Sequence, residues 1–342
     1  MSSRCGVALL GFGTVGSAVA RRLTAPESAP SNLHLTHIVD RRAAEKRVSL
    51  SADGLVWTTS IDEALQSGAD IVVETIGGVE PAAGWIRAAL LAGKSVVTAN
   101  KQVIARHGQT LLTLAARQGR QMRFEAAVGG AMPIVRAIGE GLAGDRITRL
   151  TAILNGTTNA VLSQMESTGC SLEEAVRDAR ARGYAEADPS ADLDGHDARA
   201  KLAILCALAF GLRVDPDQIE TRSSAAISAA DFDRARRRGA TIRQIARAEY
   251  DCASSVLTAS VAPTEVGRGS IFAQAVGPQN AALIRGTHSG EIGIFGAVAG
   301  GDAAAVAILG DIAAIARDKA AILPAPILNS KFLILNSLAE AL

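Results

Sequence analysis

Gly6-Val7-Ala8-Leu9-Leu10 followed by Gly11-Phe12-Gly13-Thr14-Val15-Gly16 decides how the first half of this chain folds. The apolar run reads as a short buried strand, and it leads directly into a G-x-G-x-x-G loop. Val15, Val19 and Leu23 then recur at helical spacing, and a second strand over Leu33 to Val39 ends at Asp40. A glycine triplet by itself is only a turn. A strand, the loop, a helix and a second strand in succession form the context of a dinucleotide-binding unit. In that context the first glycine makes the tight turn, the second lets the backbone approach a pyrophosphate, and the third lets the helix pack on the strand. The helix N-terminus offers unpaired N–H groups and the positive end of its dipole to the phosphates.

Two readings of the residues after this second strand stay open. Asp40 sits where an acid would bind the ribose hydroxyls and favour NAD. Arg41 and Arg42 follow immediately and could hold the 2′-phosphate of NADP. Further along, Ile71 to Thr75, Ser95 to Ala99 and Arg123 to Ala127 read as buried parallel strands. Helical patterns over Ile61 to Gln66, Pro81 to Ala92 and Thr110 to Gln118 separate them. This alternation predicts an α/β fold with a doubly wound parallel sheet. Ligands bind such sheets beyond the carboxyl ends of the strands. Two segments occupy that edge, Glu74-Thr75-Ile76-Gly77-Gly78 and Thr98-Ala99-Asn100-Lys101. Lys101 is placed near the nicotinamide end of a cofactor; on position alone it reads equally well as a surface lysine.

The second half carries a different kind of signal. FEAAVGGAMP, Phe124 to Pro133, is a shaped turn that leads out of the first sheet. LNGTTN, Leu154 to Asn159, is a polar loop after a strand over Arg149 to Leu154; it reads as a ligand grip or as a helix cap. GYAEADPSADLDGHDARAK, Gly183 to Lys201, sets Glu186, Asp188, Asp192, Asp194 and Asp197 in one short stretch before a nearly all-apolar helix over Asp197 to Phe210. Asp197 and Lys201 lie one turn apart on one face of that helix. Leu205 and Leu208 continue that face into the core, so the ion pair is expected to be buried. The plainer alternative makes Asp194 the N-cap and Asp197–Lys201 an ordinary intrahelical pair. The carboxylates lack the spacing of a calcium loop.

Composition excludes several classes. The 342 residues suffice for two domains, and 48% hydrophobic with 20% charged residues is usual for a globular protein. A net charge of +1 argues against a nucleic-acid or anionic-membrane partner. Arg234 with Arg236 to Arg238 reads as a solvated helix face. No signal peptide is expected from the start of the chain. No apolar stretch reaches the roughly 18 residues needed to span a bilayer, the longest being Leu202 to Leu212. Cys5, Cys170, Cys206 and Cys252 are scattered, which fits a reducing, cytoplasmic setting. Only six of the 35 basic residues are lysines, so each lysine is a mild pointer to an amine that must share or lose a proton.

Taken together, GFGTVG (Gly11 to Gly16), ETIGG (Glu74 to Gly78), TANK (Thr98 to Lys101), FEAAVGGAMP, LNGTTN and GYAEADPSADLDGHDARAK resemble the homoserine dehydrogenase family, as does a glycine-rich turn and helix from Gly296 to Ala316. The resemblance covers about Val7 to Ala316. It implies a Rossmann-type domain over residues 1–132, completed by a returning helix near 301–320. An α+β catalytic and dimerisation domain over 133–300 and a tail helix over 321–342 follow. It implies NAD(P)H-dependent reduction of L-aspartate 4-semialdehyde to L-homoserine, in the supply of threonine, methionine and isoleucine, by a homodimer. Lys201 resembles the family's proton-donating lysine, Asp197 its acidic partner and Lys101 a second lysine at the reaction centre. Glu186 and Asp192 match residues that hold the substrate's amino end, and Gly156 and Thr157 match the substrate loop. Gly11, Phe12, Gly13, Thr14, Val15, Gly16, Asp40, Arg41, Thr75, Lys101 and Gly300 would contact the cofactor. The resemblance also implies a structural sodium ion on Glu125, Val128, Gly130 and Met132, largely through carbonyl oxygens, a donor set suited to a hard cation. The chain ends before the ACT-type regulatory domain of many bacterial members, so threonine feedback through such a domain is not expected. The segment beyond Ala321 runs past the shorter family members and is expected to pack as a helix against a partner subunit.

Overall fold

The computed structural model describes residues 4–25, 32–297, 300–321, 323 and 328–335. The chain divides into two compact units, Met1–Gly130 with Gly300–Pro326, and Ala131–Ala299 with Ile327–Leu342.

The first unit is built on six parallel strands: β1 (Cys5–Leu10), β2 (Leu33–Val39), β3 (Val56–Thr58), β4 (Ile71–Glu74), β5 (Ser95–Thr98) and β6 (Met122–Arg123). Their order is β3-β2-β1-β4-β5-β6, that of a dinucleotide-binding doubly wound sheet. The chain reverses direction across the sheet between β1 and β4, which opens a crevice at the carboxyl ends of those strands. β1 is buried along its whole length, as expected of a central parallel strand. Val19 and Leu23 of the helix Thr14–Thr24 pack on it together with Ile308, Ile312 and Ile315 of the returning helix Gly301–Arg317. Each buried isoleucine contributes roughly 1.5–3 kcal/mol.

The predicted strand over Arg123 to Ala127 is corrected: pairing stops at Arg123, and Glu125–Ala127 forms a turn of 3₁₀ helix. The Glu125 N–H donates instead to the buried carboxylate of Asp311, at 2.9 Å, on the returning helix. That contact replaces a ladder bond and ends the edge strand. The helix expected over Thr110 to Gln118 begins nine residues earlier, at Lys101. Gly108 hides this in the sequence; here it is buried inside the helix beside Ile104.

The second unit carries a mixed sheet in the order β12-β11-β7-β9-β10-β13, with β8 (Glu220–Thr221) also on β10. Its strands are β7 (Ile147–Ile153), β9 (Ala240–Asp251), β10 (Val256–Gly267), β11 (Gln279–Gly286), β12 (Gly290–Ala297) and β13 (Leu333–Leu335). β12-β11-β7-β9-β10 are antiparallel neighbours, whereas β8 and β13 run parallel to β10. The helices Gly156–Thr168, Leu172–Ala181, His196–Phe210 and Ala229–Arg237 belong to this unit. Arg234 and Arg236 pair with Asp231 and Asp233 on their own exposed helix face. The expected tail helix is corrected where the tail is described: Leu333–Leu335 is an edge strand in register with Val256–Thr258. Alternating burial of its three apolar residues fits the two-residue strand period. Residues 322, 324–327 and 336–342 of the tail lie outside the described residues.

The start of the helix His196–Phe210 positions the chemistry of this unit. Its N-cap is Gly195, at φ +80°. Asp194, the cap in the plainer alternative, instead accepts a hydrogen bond from the Ser223 hydroxyl, 2.5 Å away. A side chain at 195 would be strained by the left-handed backbone, and its Cβ would lie 2.8 Å from Thr221 Cγ2 and 3.1 Å from Val261 Cγ1. Gly195→Ala is therefore expected to destabilise the protein by about 2–4 kcal/mol, combining backbone strain and overpacking. A lowered denaturant midpoint would show this; an unchanged midpoint would contradict it.

Candidate active site

In the first unit Gly11 turns at φ +93° and Gly16 lies directly against it. A Cβ on Gly16 would sit 2.1 Å from the Gly11 carbonyl oxygen, so only glycine lets the helix Thr14–Thr24 lie this close to the loop. Gly13, its N-cap, makes no side-chain cap bond, the first turn holds no acid, and a Cβ on Gly13 would meet open space. The donors of that helix end are thus available to an anion, the arrangement a pyrophosphate requires. A cavity of about 680 Å³ opens beside it, lined in part by Gly11, Phe12, Asp40, Arg41, Lys46 and Thr75, and the residues present fit a dinucleotide. Gly301 lies against Thr14, where its own Cβ would be 2.7 Å from the Thr14 carbonyl oxygen. This puts the neighbouring Gly300 at the rim of the glycine loop. Thr75 spends its hydroxyl on the Leu10 and Gly11 carbonyls, 3.1 Å from each, so it braces the loop.

Asp40 lies at the end of β2, and its carboxylate is already engaged. Oδ2 accepts from the Phe12 N–H at 2.9 Å and from Lys46 Nζ at 2.7 Å, and Oδ1 accepts from the Arg42 N–H at 2.8 Å. Lys46 also donates to the Phe12 carbonyl at 2.9 Å. Burial opposes ionisation of Asp40, but the Lys46 ammonium and the two backbone donors outweigh it and hold the carboxyl below its usual range. Its folded pKa is thus below its unfolded one. The stabilisation is full above the unfolded value and fades as pH falls through the lowered folded value. Asp40→Asn is expected to lower stability at pH 7 and to leave it closer to wild type in strong acid, as read by pH-dependent melting. Sequence reasoning missed Lys46; its distance of six residues from Asp40 gave no periodic signal.

Lys101 is the first residue of the helix Lys101–Arg117, whose N-cap Asn100 accepts from the Val103 N–H at 3.1 Å. A cation at the positive end of a helix dipole is locally unfavourable, a cost more often met at functional positions.

In the second unit, Asp197 and Lys201 form the expected pair at 2.8 Å, with side chains 6% and 16% exposed. Lys201 Nζ also donates to the Leu154 carbonyl at 2.9 Å. Asn155 is the residue the sequence reading passed over. Its Nδ2 donates to Asp192 Oδ1 at 2.7 Å and to Asp197 Oδ2 at 2.9 Å, and its Oδ1 accepts from the Thr158 N–H at 2.8 Å. One amide therefore caps the helix Gly156–Thr168 and gathers Asp192, Asp197 and, through Asp197, Lys201. The motif LNGTTN held the signal, since Asn at an N-cap is a strong preference. Thr157 follows in the first turn, with its hydroxyl donating to the Tyr184 carbonyl at 2.7 Å, and Gly156 opens the helix. Glu186 is exposed, its carbonyl oxygen held by Arg180 Nε at 3.2 Å. No described contact joins its carboxylate to the Asp192–Asp197 cluster.

The sodium ligands implied by resemblance occupy the chain segment 125–132. Glu125, Val128 and Met132 are buried, and the Glu125 carbonyl already accepts from the Val128 and Gly129 N–H groups. Among the described residues there is no cluster of three or more His, Cys, Asp or Glu side chains able to hold a metal.

A family model described as "Homoserine dehydrogenase" matches residues 133–313, and one described as "Homoserine dehydrogenase, NAD binding domain" matches residues 11–125. The chain is 39% identical over 324 residues to a homoserine dehydrogenase of Corynebacterium glutamicum, covering 93% of this chain and 73% of that protein. The chain belongs to the homoserine dehydrogenase family. It is accordingly an NAD(P)-dependent oxidoreductase acting on a CH–OH group. The homoserine dehydrogenase of Mycobacterium tuberculosis is 40% identical over 326 residues, covering 92% and 73% of the two chains. A crystal structure of a homoserine dehydrogenase from Thiobacillus denitrificans is similar with a TM-score of 0.86 at 33% identity, covering 98% of this chain and 80% of that one. A hyperthermophilic archaeal homoserine dehydrogenase in complex with NADPH gives 0.77 at 28% identity, covering 94% and 100%. Among the described residues, no helix is long and apolar enough to cross a membrane.

Proposed function

We propose that this homoserine dehydrogenase interconverts L-aspartate 4-semialdehyde and L-homoserine with Lys201 as the general acid. The observation that carries this reading is the cluster of Lys201, Asp197, Asn155 and Asp192. A bound NAD(P)H supplies the hydride to the aldehyde carbon. Lys201 meets the negative charge that grows on the aldehyde oxygen and gives it a proton. Two of the ammonium's three N–H bonds point at Asp197 and the Leu154 carbonyl, which fixes the direction of the third. Arginine would be a poor acid at this position. Asp192 and Glu186 are read as the partners of the substrate's α-ammonium, Gly156 and Thr157 as its loop, and Lys101 as the second lysine of the reaction. Comparing L-homoserine with 4-hydroxybutyrate, which lacks the α-ammonium, tests this. A kcat/KM at least about 100-fold lower for 4-hydroxybutyrate is expected, because the carboxylates that meet the α-ammonium would lose their charged partner. Equal turnover would overturn the assignment.

Lys46 also favours one answer to the cofactor question. With Asp40 held by Lys46 and two backbone donors, the exposed Arg41 and Arg42 dominate the ribose end of the cavity, and NADP is the preferred cofactor. Lys46→Ala is expected to shift the NADP/NAD ratio of kcat/KM toward NAD by about tenfold, equivalent to about 1.4 kcal/mol. An unchanged ratio would count against this. The structural sodium ion, the homodimer and a cytoplasmic location belong to the same reading. Main-chain oxygens of the 125–132 segment support the first. The exposed Phe295 on β12 and Leu333 and Leu335 on β13 support the second. Four free cysteines support the third.

A further inference from the structure

Glu74, the last residue of β4, is fully buried at the carboxyl edge of the first sheet. Three neutral donors point at its carboxylate. Oε1 accepts from the N–H groups of Ile76 at 2.8 Å and Gly77 at 3.2 Å, and Oε2 accepts from the Thr98 hydroxyl at 2.5 Å. Because that hydroxyl donates to Glu74, its lone pair is left to accept from the Asn100 N–H at 3.0 Å. Asn100 in turn donates through Nδ2 to the Gly78 carbonyl at 2.6 Å and caps the helix that begins with Lys101. The loop after β4 is thus tied twice to the loop after β5. Its other end is tied to the glycine loop through Thr75. Hydrogen bonds, joined by the peptide link between Glu74 and Thr75, thus run from Gly11 through Thr98 and Asn100 to the start of the Lys101 helix.

We propose that Glu74 is a positioning residue whose carboxylate locks the loop after β4 to the helix start, so that Lys101 is held in fixed register with the cofactor loop. The proposal rests on the reading of Lys101 and the glycine loop given above. A carboxylate is needed because all three partners are donors. An amide would turn an NH₂ toward one of them and leave a donor unmatched in a buried place. Displacement of a catalytic group by about 1 Å costs about 100-fold in rate.

The test compares wild type, Glu74→Gln, Thr98→Val, Thr98→Ser and the Glu74→Gln/Thr98→Val double variant in homoserine oxidation, with melting and near-UV circular dichroism of each. Glu74→Gln is expected to fold and to lose about 10- to 100-fold in kcat, with the KM for homoserine within about 3-fold of wild type and the KM for the dinucleotide raised. Thr98→Val should reproduce that pattern and Thr98→Ser should recover most of the loss. The double variant should be no worse than the poorer single, as for two members of one network. Should Glu74→Gln fail to fold, the valine and serine variants at 98 decide alone. Variants that lose melting temperature while kcat and both KM values stay at wild type would overturn the proposal, as would a serine variant as impaired as the valine one. Wild type without homoserine turnover would instead refute the functional reading itself.

Discussion

Lys201→Ala is expected to lower kcat for homoserine oxidation by about 10³- to 10⁴-fold, the combined size of a lost general acid–base group and a lost oxyanion partner. The KM for homoserine should change far less, because the interaction strengthens only as charge develops on oxygen. The structural reason is specific. The ammonium is aimed by Asp197 and the Leu154 carbonyl, and Asp197 is aimed by Asn155. Asn155→Ala should therefore fall between wild type and Lys201→Ala in kcat, and it should also lose helix stability of about 1 kcal/mol through the missing N-cap. Removal of Lys201 leaves a buried carboxylate still hydrogen-bonded to Asn155, so the variant is expected to fold. Near-normal turnover in Lys201→Ala, with Lys101→Ala inactive, would exchange the roles of the two lysines.

The second large effect concerns the glycine loop, where two substitutions are expected to fail for different reasons. Gly16→Ala places a methyl 2.1 Å from the Gly11 carbonyl and 2.8 Å from the Thr75 hydroxyl. The helix must leave the loop, so both dinucleotide affinity and melting temperature should drop, affinity by about 100-fold or more, equivalent to about 2.7 kcal/mol. Gly13→Ala meets nothing within the protein. It should melt close to wild type yet still bind dinucleotide weakly, since its methyl enters the space a phosphate would take. Fluorescence titration with NADPH alongside thermal melting separates the cases. Tight binding by Gly13→Ala would mean that the phosphates lie elsewhere.

Much of this was legible in the sequence because the physics was local. β1, the glycine loop and the helix Thr14–Thr24 follow from residue spacing within one βαβ unit, and Asp197–Lys201 follows from helical periodicity. What was not legible depended on distant partners. Asp194 is a good N-cap residue by type, but the close approach of Thr221 and Val261 gives the cap to Gly195. Arg123 to Ala127 reads as a strand until Asp311, 186 residues further along the chain, takes the Glu125 N–H. Leu333–Leu335 reads as one turn of an amphipathic helix, and pairing with the open edge of β10 makes it a strand. Asn155 and Lys46 went unassigned because each acts by joining groups far apart in sequence or out of any regular period.

The most direct test of the central claim is the oxidation of L-homoserine by the purified protein with NADP⁺ or NAD⁺ at mildly alkaline pH, followed by the absorbance of reduced nicotinamide. The account predicts turnover that saturates with homoserine, runs better with NADP⁺ and is lost in Lys201→Ala. A folded protein that binds dinucleotide yet turns over homoserine with neither cofactor would contradict it.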